Sequence, residues 1–311
     1  MSENLFKYFG PDSIDKVFAA PEHVTLKCSL PKDFNDPYEL FLTVDLDQDA
    51  DTMAFYAESI GDLVQLPTTC FSRSPLVIPM WAHYAKNSTG FAIELDEETL
   101  ADNFPESHFD NVNYRDTPNE ALTDMLHRAS VIGKGRHVYL LQHWVMKAAY
   151  FTKTTCWDYE QERRMVAGAG EVRDVGALLL LDVPKDCVKT IVSGPQASAE
   201  TIAIIEQKAN ELECDYYKLK IGKTSASPFL INSSGEPFIF KDNHIVPSIS
   251  HCSSCKEPVS SLRKLCSWCQ IEQSHIDAAA RRNPFRLFQS MGILDSYIDN
   301  MNIISRGHQT K

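Results

Sequence analysis

The sequence predicts an α+β fold in which a mixed, mainly antiparallel sheet forms the core and helices flank it. Short segments with alternating or continuous apolar residues, typical of strands, recur throughout the first two thirds of the chain. Longer segments with helical spacing separate them at unequal intervals, unlike the even rhythm of a doubly wound fold. Four cysteines in two CxxC pairs then predict a small metal module, followed by a helical tail.

The N-terminal elements are predicted from apolar alternation and turn signals. The segment LFKYF is expected to form a short strand, and residues 23–30 alternate apolar and polar side chains as a half-buried strand does. The triplet Asn35-Asp36-Pro37 indicates a turn. Residues 47–66 are predicted to form a helix with an apolar side made by Met53, Phe55, Ile60 and Leu63.

The middle of the chain alternates between predicted strands and helices. Residues 67–74 are predicted to form a strand and a loop, and residues 79–90 a short helix that Gly90 closes. Residues 91–96 form the next predicted strand. Residues 117–150 are predicted to be mostly helical because their apolar residues recur at helical intervals. The segment EQERRMVAG is again predicted to be a strand.

The following segments complete the predicted main domain. The apolar run in GALLLLDVP predicts a central strand buried on both faces, and CVKTIVSG predicts another strand. Residues 198–212 form an amphipathic pattern with Ser198 as a helix N-cap. The segment DYYKLKIGK predicts a further strand.

The predicted domain organisation has three parts. Residues 1–223 form a catalytic-like α+β domain, and residues 251–311 form a zinc-ribbon-like module with a helical tail. Residues 224–250 between them lose periodicity and gain Ser, Pro, Asn and Gly, which predicts a linker or wrapping segment.

Charge and hydropathy limit the classes of partner. The net charge is −12, of which residues 251–311 contribute +3 and the remainder −15. An acidic body does not favour broad nucleic-acid binding, because phosphates are met by Lys and Arg. No apolar run reaches transmembrane length and no secretory signal is visible, so we expect a cytoplasmic protein without a membrane partner. Neither a GxGxxG nor a Walker motif is present.

The cysteine quartet predicts a structural zinc site. Its spacing is Cys252-x2-Cys255-x10-Cys266-x2-Cys269, and two CxxC turns can direct four thiolates at one ion. Thiolates favour zinc, with an iron–sulfur cluster as the minor alternative. A four-cysteine site leaves the metal no open position, so the module is expected to bind a partner protein or nucleic acid rather than to perform chemistry.

Several motifs of the main domain resemble those of one bacterial family. They are FKYF, FNDPYE at residues 34–39, the series CFSRS, MWAHYA and GFAIELD within residues 70–96, and WDYEQERR at residues 157–164. In order and spacing they are similar to the abortive-infection-like family of uncharacterised proteins. The layout is also similar to that of the ADP-ribosyltransferase superfamily, which implies NAD as a substrate and a role as a toxin or phage-defence effector.

The Glu-x-Glu pair carries the predicted chemistry. On a strand Glu160, Glu162 and Arg164 share one face, and two carboxylates beside an arginine suit a site better than a buried structural face. On an exposed edge the same residues would be an ordinary solvated surface. The resemblance implies that Glu162 is catalytic and holds the ribose, while Glu160 assists the acceptor. Arg164 is expected to pair with a carboxylate or to hold a phosphate.

The resemblance implies further cofactor-binding residues with weaker individual support. Tyr84 lies on the side of the short helix expected to face the core, and His83 on the side expected to face the cleft. Lys153 is expected to be either a phosphate contact or an ordinary surface lysine. The candidate NAD-binding residues are Lys7, Tyr8, Asn35, Ser72, His83, Tyr84 and Arg164.

Two other functions stay open at the sequence level. The first is a metal-dependent hydrolase or nuclease that uses Glu160, Glu162, Asp36 and His83 with a divalent ion. The second is a non-enzymatic sensor or adaptor that binds a partner through the zinc module. The acceptor of a transferase reaction, whether protein or nucleic acid, is not determined.

Overall fold

The chain divides into two compact units, Met1–Ser248 and Ile249–Lys311. A computed structural model describes residues 4–34, 36, 42–176, 178–260 and 263–308, with the side chains of residues 306–308 excepted.

The strands of the described residues are numbered in chain order. They are β1 (Asn4–Phe9), β2 (His23–Cys28), β3 (Thr68–Ser72), β4 (Phe91–Asp96), β5 (His108–Asn111), β6 (Asn113–Tyr114), β7 (Thr152–Lys153), β8 (Glu162–Val166), β9 (Arg173–Val175), β10 (Leu178–Pro184), β11 (Val188–Ser193), β12 (Asp215–Lys220), β13 (Phe229–Asn232), β14 (Pro237–Lys241) and β15 (His244–Pro247).

The helices of the described residues are numbered in the same way. They are α1 (Ile14–Val17), α2 (Ala50–Ile60), α3 (Ile78–Tyr84), α4 (Glu97–Asn103), α5 (Glu120–Ile132), α6 (Gly135–Phe151), α7 (Ala199–Glu211), α8 (Gln273–Arg282), α9 (Pro284–Ser290) and α10 (Leu294–His308). None of these described helices is both long and apolar enough to cross a bilayer.

A large sheet organises the first unit. Among the described residues it has ten strands, in the order β15-β14-β13-β12-β11-β4-β1-β3-β8-β5. Neighbouring strands pair antiparallel except β11 and β12, which pair parallel through the crossover helix α7. This mixed, mostly antiparallel sheet with flanking helices confirms the predicted α+β class.

Strand β4 lies near the middle of the sheet, and apolar side chains leave it toward both faces. Ile93 and Leu95 join the larger core cluster, and Ala92 joins a second cluster on the opposite face. Apolar residues on both faces are expected for a strand with paired neighbours on each side and cover above and below. The indole of Trp81, from α3, is fully buried in the second cluster and donates to the carbonyl of Pro75.

A small sheet covers one face of the large sheet. Its order is β2-β10-β9, and Leu181 and Val183 of β10 enter the larger core cluster. The prediction that this apolar run is buried on both faces is wrong, because Leu178 is 43% exposed and alternate residues of β10 are only partly covered. A sheet packed on one side buries one face only, so period 2 applies despite the continuous apolar sequence.

Residues 224–250, predicted to be a linker or wrapping segment, contain strands β13, β14 and β15, which extend the large sheet. Asp242 and Asn243 both have positive φ angles, as in the two-residue turns that join tightly paired antiparallel strands. Phe240 of β14 packs edge-on against Phe6 of β1, so the extension contributes to the core. Part of the polar sequence in this segment, at Asp242 and Asn243, therefore belongs to a turn between paired strands.

Residues 117–150, predicted to be mostly helical, form the two helices α5 and α6. Gly133 adopts a left-handed conformation with φ 62°, which ends α5 and permits a tight turn. Leu126 and Leu141 then meet in a core cluster of their own. The two helices form an α-helical hairpin (residues 120–151).

Candidate active site and metal centre

A pocket opens where two strands of the large sheet separate. Strands β1 and β3 pair at a single position, Phe6 opposite Ser72, although β1 pairs with β4 along its whole length. The resulting cavity has a volume of about 310 Å³. Its lining includes, from these and neighbouring elements, Lys7, Tyr8, Lys27, Phe34, Cys70, Ser72, Tyr84, Lys153, Glu160, Glu162 and Arg164.

Strand β8 brings Glu162 and Arg164 to the pocket, because it pairs with β3 in a register that places Glu162 opposite Ser72. The shared face predicted for Glu162 and Arg164 is therefore observed, since alternate residues of a strand point the same way. The strand does not extend to Glu160, which ends a 3₁₀ turn spanning Thr155–Glu160. Gln161 follows with a positive φ of 47°, and Glu160 reaches the same pocket from this turn.

Four charged side chains form a closed network on the pocket wall. The Lys153 ammonium donates to Glu160 Oε2 at 2.6 Å and to Glu162 Oε2 at 3.3 Å. The Arg164 guanidinium donates through two nitrogens to both oxygens of Glu162, at 2.8 and 3.1 Å. Because two cations meet two carboxylates, the network is neutral in total.

The network is buried, and aromatic rings cover its cations. Lys153, Glu160, Glu162 and Arg164 are each 5% exposed or less. The Lys153 ammonium lies 4.7 Å from the centroid of the Trp157 ring, and the Arg164 guanidinium lies 4.9 Å from that of Phe34. Buried charges persist only when they are paired and hydrogen-bonded, as they are here.

Two tyrosines fix the glutamates from other elements. The Tyr84 hydroxyl, at the end of α3, donates to Glu160 Oε1 at 2.6 Å. The Tyr114 oxygen, in β6, accepts the backbone N–H of Glu162 at 2.8 Å. Tyr84 therefore fixes the carboxylate of Glu160 and Tyr114 fixes the backbone of Glu162 before any ligand arrives, which is the preorganisation that electrostatic catalysis requires.

The pKa values of the two carboxyl groups are shifted in opposite directions. Burial raises the pKa of Glu160 above its ordinary value, despite the nearby Lys153 ammonium. Burial alone would also raise the pKa of Glu162, but Arg164 and Lys153 together hold it below its usual range. Environments that separate the pKa values of two neighbouring carboxyl groups in this way are typical of sites where one group stays ionised and the other exchanges a proton.

Lys153 belongs to the charged network, although no sequence pattern indicates this. It was expected to contact phosphate or solvent, yet it is 4% exposed and lies between the two glutamates. Burial would lower the pKa of its ammonium, but Glu162 and Glu160 raise it, so it stays charged. No local pattern could reveal this, because Lys153 follows α6 in the short strand β7 and reaches its partners through tertiary structure.

Three other predicted residues also line the pocket. Lys7 donates to Thr69 Oγ1 and to the Cys70 carbonyl, at 2.8 and 2.9 Å, and so bridges the gap between β1 and β3. Tyr8 is 7% exposed and its hydroxyl donates to the Ser74 carbonyl at 2.7 Å. Ser72 is fully buried beside the pocket, where its hydroxyl lies 3.3 Å from the same carbonyl.

Two predicted residues are not brought together with the others. His83 is exposed, absent from the pocket lining, and hydrogen-bonded at 3.2 Å to the Tyr159 hydroxyl. The prediction that His83 faces the cleft and Tyr84 the core is therefore wrong, because Tyr84 lines the pocket and His83 does not. Asn35 lies outside the described residues. Asp36, the further residue of the metal-hydrolase hypothesis, accepts from Thr154 at 3.2 Å.

The second unit holds a candidate metal centre. The sulfur atoms of Cys252, Cys255, Cys266 and Cys269 all lie within 4.8 Å of one another, so the set could hold an ion such as zinc. Cys255 Sγ and Cys266 Sγ are 3.7 Å apart, close to the roughly 3.8 Å expected between two thiolates on a tetrahedral zinc. Among the described residues, these four cysteines form the cluster of potential metal ligands. The two pocket carboxylates instead pair with Lys153 and Arg164.

Comparison with known proteins gives a family without an assigned activity. No curated protein and no solved structure matches the chain. The description of the matching family names no substrate, so the resemblance to abortive-infection-like proteins and to ADP-ribosyltransferases stays a prediction. The matched segment nevertheless contains Tyr84, Lys153, Glu160, Glu162 and Arg164. Residues 80–165 match the model of the family described as "Protein of unknown function (DUF2971)", and they supply the whole charged network of the pocket.

Proposed function

We propose that the pocket cleaves the N-glycosidic bond of NAD and transfers ADP-ribose to water or to an acceptor. The observation that supports this most is the buried pair of glutamates on the pocket wall: burial raises the pKa of Glu160, whereas Arg164 and Lys153 hold the pKa of Glu162 low. Glycosidic cleavage passes through an oxocarbenium-like state, which needs one carboxylate that stays ionised and one that handles a proton.

Glu162 would supply the negative charge. Because Arg164 and Lys153 keep its carboxylate ionised, it can stabilise positive charge that develops on the ribose and accept from a ribose hydroxyl. The bond between the nicotinamide nitrogen and C1′ breaks, and its electron pair neutralises the pyridinium. No proton is required for this leaving group.

Glu160 would serve the incoming nucleophile. Its raised pKa and its hydrogen bond from Tyr84 place a carboxyl group that can take the proton of an attacking hydroxyl or water as the new bond to C1′ forms. The proton then leaves to solvent. The product is free or acceptor-bound ADP-ribose together with neutral nicotinamide.

The pocket also has features that suit the rest of the ligand. Phe34 and Tyr84 offer aromatic surface for a flat heterocycle. Lys7 and Lys27 line the cavity, and neither has a carboxylate partner among the described residues. In a body with a net charge of −15, two such lysines favour a phosphorylated ligand. The volume of about 310 Å³ suits the nicotinamide and its ribose, with the diphosphate toward the opening.

The test is release of nicotinamide from NAD by purified full-length protein, measured by chromatography. Wild type is expected to release it, and Glu162→Gln to slow the release by about 100-fold or more, because a neutral amide cannot stabilise the cation. Glu160→Gln should reduce transfer with a smaller effect on nicotinamide release. Glu211→Gln, at an exposed glutamate of α7, is the matched control.

Absence of nicotinamide release, combined with no heat of NAD binding in calorimetry, would refute the proposal. Circular dichroism of each variant checks that loss of activity does not follow from unfolding. Activity abolished by EDTA and restored by magnesium or manganese would instead favour the metal-dependent hydrolase hypothesis.

The remaining expectations concern the second unit and the biological role. We expect zinc at the four cysteines, because thiolate ligands at this separation suit it. Trp268 lies between the last two cysteines and is 58% exposed, which is consistent with an adaptor role toward a partner protein or nucleic acid. Action as a toxin or phage-defence effector rests on the family resemblance alone and stays a prediction.

A further inference from the structure

The α-helical hairpin carries an unusual charge distribution for this protein. From Met125 to Trp157 the sequence contains no aspartate or glutamate over 33 residues, whereas the whole chain has 42 acidic residues. The same segment contains Arg128, Lys134 and Arg136 close to the turn of the hairpin. A local excess of positive charge in an acidic protein marks a surface for an anionic partner.

The three cations converge in space as well as in sequence. Arg128 lies in the last turns of α5, Lys134 in the connection, and Arg136 in the first turn of α6. His137 lies among them: burial and the positive charges of Arg136, Arg128 and Lys134 lower the pKa of its imidazole. All three cations are exposed, and none has a carboxylate partner among the described residues.

Aromatic side chains continue this surface along the outer side of α6. Leu141 and Val145 of that helix are buried, so the opposite side faces solvent. Tyr139 is 68% exposed, and its ring stacks on His143 with centroids 6.5 Å apart and an interplanar angle of 17°. Arg136, Tyr139 and His143 follow one another at spacings of three and four residues, which places them on one face of the helix.

Cations that alternate with exposed aromatic faces are the pattern that holds single-stranded nucleic acid. Bases stack on aromatic rings with little sequence preference, while Lys and Arg meet the phosphates. Trp144, 42% exposed, adds a further ring at the side of the same face. Val131 and Ile132, 85% and 44% exposed at the turn, are apolar surface that an anionic bilayer would also use. The stacked rings favour the nucleic acid.

We propose that the outer face of the hairpin, formed by Arg128, Lys134, Arg136, Tyr139 and His143, binds single-stranded nucleic acid of a few nucleotides. The binding is local and independent of sequence. It does not depend on the chemistry of the pocket, and the acidic remainder of the body restricts contact to this face.

The test is fluorescence anisotropy of a labelled twelve-nucleotide oligo-U or oligo-dT with full-length protein, between 50 and 200 mM salt. Neutralisation of phosphates by three cations predicts a slope of about −2 in log K against log salt. Arg136→Gln should weaken binding and reduce that slope by about 0.7. Tyr139→Ala should weaken binding about fivefold or more without a change in slope, because it removes stacking and not charge.

Lys16→Gln is the control, since Lys16 is an exposed lysine of α1, outside the hairpin. Exposed side chains are replaced throughout, so the variants are expected to fold, and thermal melts check this. The proposal is overturned if no oligonucleotide binds at 50 mM salt, or if Arg136→Gln and Tyr139→Ala bind like wild type. Co-sedimentation with phosphatidylserine vesicles in the absence of oligonucleotide binding would overturn it in favour of a lipid surface.

Discussion

Replacement of Lys153 by methionine should destabilise the protein far more than loss of an ordinary lysine. The ammonium lies 2.6 Å from Glu160 and 3.3 Å from Glu162, and all three side chains are 6% exposed or less. Methionine fills a similar volume, but the two buried carboxylates then share a single cation, Arg164, which contacts Glu162. Removal of one partner from a buried ion pair costs about 3–5 kcal/mol of unfolding free energy. We expect a loss in that range at pH 7, measured by urea denaturation followed by circular dichroism.

The matched control is Lys208→Met, which removes a lysine from an exposed pair with Glu211 at 2.8 Å. An exposed pair contributes less than about 1 kcal/mol, so the two variants should differ clearly. Adding Glu160→Gln to Lys153→Met should recover part of the loss, because one uncompensated carboxylate is removed. Equal small losses for Lys153→Met and Lys208→Met would refute the bridging role of Lys153.

The pH dependence has a defined sign for the pocket network. The pKa of folded Glu162 is held below its ordinary value, so Glu162 stabilises the fold above its unfolded pKa. That contribution is lost as the pH falls through the folded pKa. The difference between wild type and Lys153→Met should therefore shrink in acid, since the glutamates of the variant protonate more readily.

Three further predictions concern other parts of the molecule. Burial raises the pKa of Glu94 to about 7, so the folded protein favours the protonated carboxyl group and becomes less stable as the pH rises from about 4 to 7. In urea titrations, Glu94→Gln should be roughly 3 kcal/mol more stable than wild type at pH 8 and equally stable at pH 4. One zinc per chain is expected by elemental analysis of wild type and none for Cys266→Ser, with residues 249–311 becoming protease-sensitive while the first unit stays resistant; an unchanged metal content would contradict the cysteine site. The pKa of the His137 imidazole should lie below its ordinary value in an NMR titration, and Arg136→Gln should raise it; an ordinary pKa in wild type would contradict the convergence of cations there.

Much of the pocket was predictable because it depends on strand periodicity. Glu162 and Arg164 share a face in any strand, and the structure places both on the pocket wall. Glu160 reaches the pocket for a different reason, since the chain turns at Gln161 and no strand extends to Glu160. Glu160 therefore lines the same pocket as Glu162, as predicted, but a turn places it there and not the strand periodicity on which the prediction rests.

Other features depend on contacts that the sequence cannot display. Lys153 lies in β7, which pairs with β6, and its ammonium bridges Glu160 and Glu162 through tertiary contacts that have no local signal in the sequence. Residues 224–250 differ from this, because the Asp242-Asn243 pair is a local signal for a two-residue turn between strands. The cysteine quartet was predictable from spacing alone, because the chemistry of one ion dictates it.

The most direct measurement of the proposed function is a crystal structure of Glu162→Gln grown with NAD. We expect the nicotinamide against Phe34 and Tyr84, the ribose hydroxyls within hydrogen-bonding distance of position 162, and the diphosphate toward Lys7 or Lys27. Well-ordered NAD at any other place, or an empty pocket at saturating NAD, would contradict the proposal that this pocket is the site of glycosidic cleavage.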